Sequence, residues 1–118
     1  MKMDSDERTD DLCPLAEAAL LLSSKWDLII IHNLFSGALH FSELKDKISN
    51  SLPKPVTSSS LTRILRKLEG SGLINRIVKS PVGNPIEILY ELTEKGMDLR
   101  AVIEELKGWG EKYLLETS

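Results

Sequence analysis

The stretch from Thr57 to Ile74, TSSSLTRILRKLEGSGLI, constrains the fold more than any other part of the chain. Leu61, Ile64, Leu65 and Leu68 recur at i, i+3, i+4 and i+7, one stripe of an amphipathic α-helix. At roughly 100° per residue the opposite side centres on Ser59, Arg63 and Arg66, flanked by Thr62 and Lys67. The Ser and Thr residues at the start can cap free N–H groups, and Gly72 at the end can take the left-handed conformation that stops a helix. A helix that buries one stripe and shows short hydrogen-bonding side chains with arginines on the other suits the DNA major groove. An ordinary solvated helix face uses the same residue types, so its neighbours must decide between the two.

The chain around it is short: 118 residues, 42% hydrophobic, enough for one domain with a real core. No apolar run approaches bilayer length, and the opening MKMDSDERTDD is too acidic for a signal peptide, so a cytoplasmic protein without a membrane partner is expected. One cysteine excludes an internal disulfide, and with two scattered histidines it makes no zinc pattern; no metal or cofactor is expected. The net charge of −3 argues against a nucleic-acid partner, but its distribution argues the other way. Residues 1–11 hold two basic and five acidic side chains, and residues 87–118 hold four and eight. Residues 45–79 hold eight basic and two acidic, a block that a localised phosphate-facing surface leaves in a sequence.

Residues 1–11, polar and aperiodic, are expected to form a mobile acidic tail ahead of a single domain over residues 12–118. Pro14 suits a first helical turn, and Leu15, Ala18, Ala19 and Leu22 follow on one face. Ser23 and Ser24 break that helix, and a more apolar one runs from about Lys25 to Phe35, ended by Ser36-Gly37. Ser42 is placed to cap a short third helix reaching Ile48. The segment SNSLPKPVT then forces a loop before the amphipathic helix. Short helix, loop and basic helix in this order make a helix-turn-helix.

After Gly72 the period changes to that of strands, Ile74–Lys79 and Ile86–Leu92, around a Pro81–Pro85 turn in which Gly83 or Asn84 can take positive φ. Such a hairpin is either a wing, whose Arg76 and Lys79 reach flanking phosphates or whose tip enters a minor groove, or a plain structural hairpin. Thr93 can cap a final helix running to about Leu115. Its apolar band of Leu99, Val102, Ile103, Leu106, Trp109, Tyr113 and Leu114 is wider than one contact surface needs. It meets a second subunit or folds back over its own domain. The expected fold is therefore mainly α with a small β-hairpin (α+β), a winged helix-turn-helix with an additional helix at each of the N- and C-terminal ends.

Six short motifs carry a family resemblance: CPLAEA at Cys13, SKWDLIII at Ser24, HFSEL at His40, SLTRILRKLEGSGLI at Ser60, YELTEKG at Tyr90 and WGEKYL at Trp109. In this order, over about residues 12–115, the chain resembles the HxlR-type winged helix-turn-helix transcriptional regulators. The resemblance implies a homodimeric bacterial or archaeal repressor or activator of inverted-repeat DNA, with the first and last helices forming most of the dimer interface. It also implies, for some members, a cysteine matching Cys13 that senses oxidants or electrophiles. The sequence departs from the pattern in a longer segment between Ile48 and Leu61, which bears on where the recognition helix starts. It also has Ser24 where glycine is common.

Ser59, Thr62, Arg63 and Arg66 are thus expected to read bases, and Lys54, Lys67, Arg76 and Lys79 to hold phosphates of double-stranded DNA. Leu106, Trp109 and Leu114, with Leu15 and Ala19, are expected to hold the homodimer together. Cys13, just before Pro14, adjoins a helix N-terminus that favours a thiolate, whereas Asp10 and Asp11 oppose one and a lone cysteine also serves as a small packing residue. Catalysis has little support: His32 lies in an apolar helix, His40 stands alone in a connector, and no G-x-S-x-G, G-x-G-x-x-G or P-loop occurs. A winged-helix protein-protein interaction module without specific DNA binding is the stronger rival. Against it stands the basic block from Lys45 to Lys79, which such a module has no reason to gather.

Overall fold

The computed structural model describes residues 13–115; the expected acidic tail over residues 1–11 lies outside the described residues. The helices are α1 (Pro14–Leu21), α2 (Lys25–Leu34), α3 (Phe41–Ser49), α4 (Ser58–Gly70), α5 (Glu94–Met97) and α6 (Arg100–Tyr113). The strands are β1 (Leu39–His40), β2 (Ile74–Lys79) and β3 (Glu87–Leu92), in one antiparallel sheet of order β1-β3-β2.

Local chemistry sets most boundaries. At α2 the Ser24 hydroxyl accepts from the Trp26 N–H (3.1 Å), and the Asp27 carboxylate accepts from the Ser24 N–H (3.0 Å), a reciprocal cap. At α4 the Thr57 hydroxyl accepts from the Ser60 N–H (3.1 Å). The far end of α4 closes as a Schellman motif. Gly72, at φ 79°, donates to the Glu69 carbonyl, and Leu73 donates to that of Leu68, both at 3.0 Å. The hairpin pairs Ile74 with Leu92 through to Lys79 with Glu87, and its turn puts Gly83 at φ 79° while Asn84 donates to the Pro81 carbonyl.

Two sequence expectations are corrected and one strand is added. The third helix starts at Phe41 with His40 as its cap, because Glu43 accepts the His40 N–H at 2.8 Å; Ser42 is already helical. The last helix is not continuous from Thr93. Thr93 donates its hydroxyl to the Gly72 carbonyl (2.6 Å), and Lys95 donates to that of Ser71 (2.8 Å). These bonds pin α5 against the α4–β2 turn, and α6 starts separately at Arg100 with Leu99 as its cap position. The two-residue strand β1, too short to show any period, was not expected.

The core comes from α2, α3, α4 and β2: Ile30, Ile31, Leu34, Leu44, Ile48, Leu61, Leu65, Leu68, Leu73 and Ile74 are almost completely buried. From α6 only Ile103 is buried, and from α1 nothing is. The two helices stand out as arms, and the radius of gyration, 17.3 Å, exceeds the about 13 Å of a compact chain near this size. Among the described residues, no helix is long and apolar enough to cross a membrane.

Candidate nucleic-acid interface

The four stripe residues of α4 are buried, which turns Ser59, Arg63 and Arg66 to solvent. α4 begins at Ser58, so Ser59 sits in its first turn. Thr62 is half-buried and donates its hydroxyl to the Ser58 carbonyl at 2.9 Å, leaving its methyl and oxygen lone pairs for a partner. Neither Arg63 nor Arg66 makes an ion pair among the described residues.

Beside this face, α4 and the sheet enclose a cleft of about 490 Å³ lined by Phe41, Thr62, Arg66, Glu69, Arg76, Ile88 and Tyr90. Arg76 stands opposite Tyr90 in the hairpin, on the sheet face that looks towards α4. With two guanidinium groups against the one carboxylate of Glu69, the cleft is net positive, and an anionic oxygen can be set against both arginines. Lys79, three residues on, falls on the other sheet face, opposite Glu87. It is a wing-edge charge, not part of the Arg66–Arg76 cleft.

Lys54 lines a separate cleft with Lys25, Trp26, Leu52 and Pro53. Lys25 is a further cation here that the acidic stretch around it conceals in the sequence; its position just after the Ser24 cap is the available signal. Lys67 is placed differently from expectation. Its ammonium donates at 2.6 Å to the carboxylate of Asp27, which is completely buried, so this lysine is tied to α2 and not held out for phosphate. Asp27 lies forty residues away, and no local pattern in the sequence links it to Lys67.

At the base of the hairpin, His40 is not alone. Its Nδ1 lies 2.8 Å from Glu43 and its Nε2 3.3 Å from Glu87, joining the start of α3 to β3. The hydrogen bonds to Glu43 and then Glu87 raise the His40 pKa above 6.5. The His40 backbone N–H and then its ring lower that of Glu43. His32, in contrast, packs edge-on to Phe35 with ring centroids 6.2 Å apart. Among the described residues no cluster of His, Cys, Asp and Glu is arranged to hold a metal ion.

The arms carry the remaining expected residues. On α6 and just after it, Val102, Leu106, Trp109, Tyr113 and Leu114 are each at least half exposed; Leu15 and Leu20 of α1 are 78% and 70% exposed, and Ala19 is exposed beside them. The Trp109 and Tyr113 rings lie against each other at 5.4 Å, an aromatic patch more than half exposed among the described residues. The last helix folds back over α2 only along Ile103, the Arg100 guanidinium over the Phe35 ring and a cleft where Leu106 and Lys107 face Leu28, Ile29 and His32; the side carrying Val102, Trp109 and Tyr113 stays exposed. Cys13, free and exposed, occupies the N-cap position of α1.

Residues 21–118 match the HxlR-like helix-turn-helix family. A helix-turn-helix-type transcriptional regulator of Methanothermobacter thermautotrophicus is 40% identical over 110 residues, 92% of this chain and 79% of that protein. The structure of the reduced transcriptional regulator YodB from Bacillus subtilis superposes with a TM-score of 0.70 at 32% identity, covering 87% of this chain and 95% of that one. The redox regulator HypR in its oxidised form superposes with a TM-score of 0.76 at 29% identity, covering 88% of this chain and all of the other.

Proposed function

The chain belongs to the HxlR-like helix-turn-helix family and is a DNA-binding transcriptional regulator, not an enzyme; from that premise we propose that it acts as a homodimer on pseudo-palindromic operators. The observation that carries this reading is the joint placement of Arg66 of α4 and Arg76 of β2 in one cleft beside the exposed Ser59–Arg63 face. One α4 enters each major groove, about one turn or roughly 34 Å from its twin. Ser59, Thr62, Arg63 and Arg66 read base edges, while Lys54, Arg76 and, at the wing edge, Lys79 hold phosphates. The unpartnered aromatic and aliphatic faces of α6 and α1, centred on Trp109 with Leu106, Leu114, Leu15 and Ala19, meet their copies across the dimer axis.

Selection of bound duplexes from a random pool tests this directly. The expected product is an inverted repeat with half-site centres one helical turn apart; a pool without symmetry refutes the dimeric mode, and an unenriched pool refutes specific DNA reading and favours a protein partner instead.

The exposure of Cys13 at the end of an arm supports a second element, response to oxidants or electrophiles. An adduct at the N-terminus of α1, or a disulfide to a small thiol or to the second subunit, changes how the two arms meet and hence the spacing of the reading helices. Operator binding titrated with diamide and with a quinone should fall for the native protein and hold for Cys13→Ser. Equal behaviour of the two proteins removes Cys13 from the mechanism.

A further inference from the structure

We propose that the Asp27–Lys67 pair is a positioning device: it fixes the rotation of α4 about its own axis and thereby which base edges Arg63 and Arg66 reach. The inference rests on the DNA-reading role of α4 and names the scaffold residue on which that role depends.

Asp27 is the buried charged side chain of the core, with no exposed surface. Its Oδ2 accepts from the Lys67 ammonium at 2.6 Å and from the Ser24 N–H at 3.0 Å, while Oδ1 is buried without a hydrogen-bond partner among the described residues. For stability alone this is a poor choice. Desolvation of the carboxylate opposes the attraction between the charges, an orphaned oxygen adds to the cost, and apolar side chains of similar volume hold a core at least as well. What the pair supplies is direction. The apolar stripe of α4 attracts without angular preference, whereas a short charge-assisted bond is lost when either end shifts by about 1 Å.

Lys67 directly follows Arg66 and lies one turn after Arg63, about 40° round the helix from it. Holding Lys67 against α2 therefore sets the azimuth of both arginines. A rotation of about 20° moves a group some 6 Å from the helix axis by about 2 Å, enough to separate a guanidinium from a guanine edge. The second bond points the other way along the scaffold. The Ser24 N–H lies at the joint between α1 and α2, so the oxygen that holds the reading helix also holds the joint of the arm.

The test compares the native protein with two double variants that leave net charge unchanged: an apolar pair, Asp27→Leu with Lys67→Met, and an amide pair, Asp27→Asn with Lys67→Gln. Each is checked for folding by circular dichroism and melting, then titrated with the selected operator and with random duplex at one salt concentration. The apolar pair is expected to melt at or above the native temperature while its preference for operator over random DNA falls about tenfold or more, as loss of one base contact per half-site requires. The amide pair, whose glutamine is one bond shorter than lysine and leaves the contact too long for a hydrogen bond, is expected to lose the preference as the apolar pair does. A folded apolar pair with native preference overturns the proposal. If the apolar pair does not fold, the amide pair decides: lost preference in a folded amide pair supports the proposal, and retained preference overturns it. A native protein without preference for any duplex overturns the DNA reading and this inference together, and is told apart because the variants then play no part in the result.

Discussion

A methyl group added at Gly96 should destabilise the fold although the residue is helical, where alanine is normally the better choice. The ideal Cβ position at Gly96 lies 2.3 Å from the Leu73 carbonyl oxygen, 3.2 Å from the Leu73 carbonyl carbon and 3.0 Å from a Leu92 methyl. Carbon to carbonyl-oxygen contacts ordinarily stand at about 3.3 Å or more, so α5 and the α4–β2 turn must separate by about 1 Å. The Leu73 oxygen cannot turn aside freely, because the Thr93 N–H donates to it at 3.0 Å. A shift of that size lengthens this bond and the Thr93 hydroxyl bond to Gly72 beyond hydrogen-bonding range. Two such bonds contribute about 2 kcal/mol net, and the crowding at Leu92 adds about 1–3 kcal/mol. Against this the helix gains about 1 kcal/mol from replacing glycine. The balance is a loss of about 3 kcal/mol, or a fall in Tm of roughly 10 °C for a domain near this size.

Thermal unfolding followed by circular dichroism at fixed protein concentration measures it. Gly70→Ala is the internal control: nothing lies within 4 Å of its Cβ position and its φ is not positive, so the same substitution there should raise stability by about 0.5–1 kcal/mol. An unchanged or raised Tm for Gly96→Ala refutes the packing argument, since only the propensity gain would then be operating.

Arg63→Ala should weaken operator binding by about 1–3 kcal/mol and relax preference at one position per half-site, while Lys79→Ala weakens operator and random DNA alike; equal losses on both DNAs for Arg63→Ala contradict its base-reading role. Trp109→Glu should give monomeric or insoluble protein by sedimentation; a folded dimer that still binds DNA places the interface elsewhere. By proton NMR the His40 midpoint should lie above 6.5 and fall in Glu43→Gln more than in Glu87→Gln, in the order of their hydrogen-bond contributions. The sign follows from the raised value. The His40 contribution to anchoring the hairpin is full below pH 6.5 and is lost as pH rises through the folded-state midpoint, so protection factors of the β3 amides, taken relative to the intrinsic exchange rate at each pH, should fall over that interval and show no such step in His40→Gln.

Sequence patterning carried the elements whose determinants are local. The stripe, cap and stop of α4 lie within its own residues, and the hairpin declared itself through alternation and a Pro-Val-Gly-Asn turn. What escaped was set by partners distant along the chain. The break between α5 and α6 follows from bonds between Thr93 or Lys95 and carbonyls at residues 71–73, which no periodicity in the last helix records. Lys67 has the spacing of a phosphate-facing lysine, and only the approach of α2 to α4 reveals Asp27 beneath it. His40 was isolated in sequence and is flanked in space, because strand order β1-β3-β2 brings Glu87 beside it. The opposite facing of Arg76 and Lys79 was readable from the period of two, but the sequence reading had grouped them by charge alone.

The reassignment of Lys67 changes how strongly salt should govern binding, and that gives the charge map a quantitative test. Counterion release makes the logarithm of the binding constant fall with that of the salt concentration, by about 0.9 for each phosphate neutralised. With Lys54, Arg76 and Lys79 as the phosphate holders on each of two protomers, the slope should be about −5. The net charge of −3 does not offset this. Beyond a Debye length of about 8–10 Å the acidic groups are screened, and only cations set against the backbone displace ions from it. Arg76→Ala removes one holder per protomer and should flatten the slope by about 2. The Asp27→Asn, Lys67→Gln pair removes a lysine that is already neutralised within the fold, so its slope should equal the native one. A flattening of about 2 in the amide pair would mean that Lys67 leaves Asp27 and grips phosphate when DNA is present, and the positioning role assigned to the pair would then be wrong.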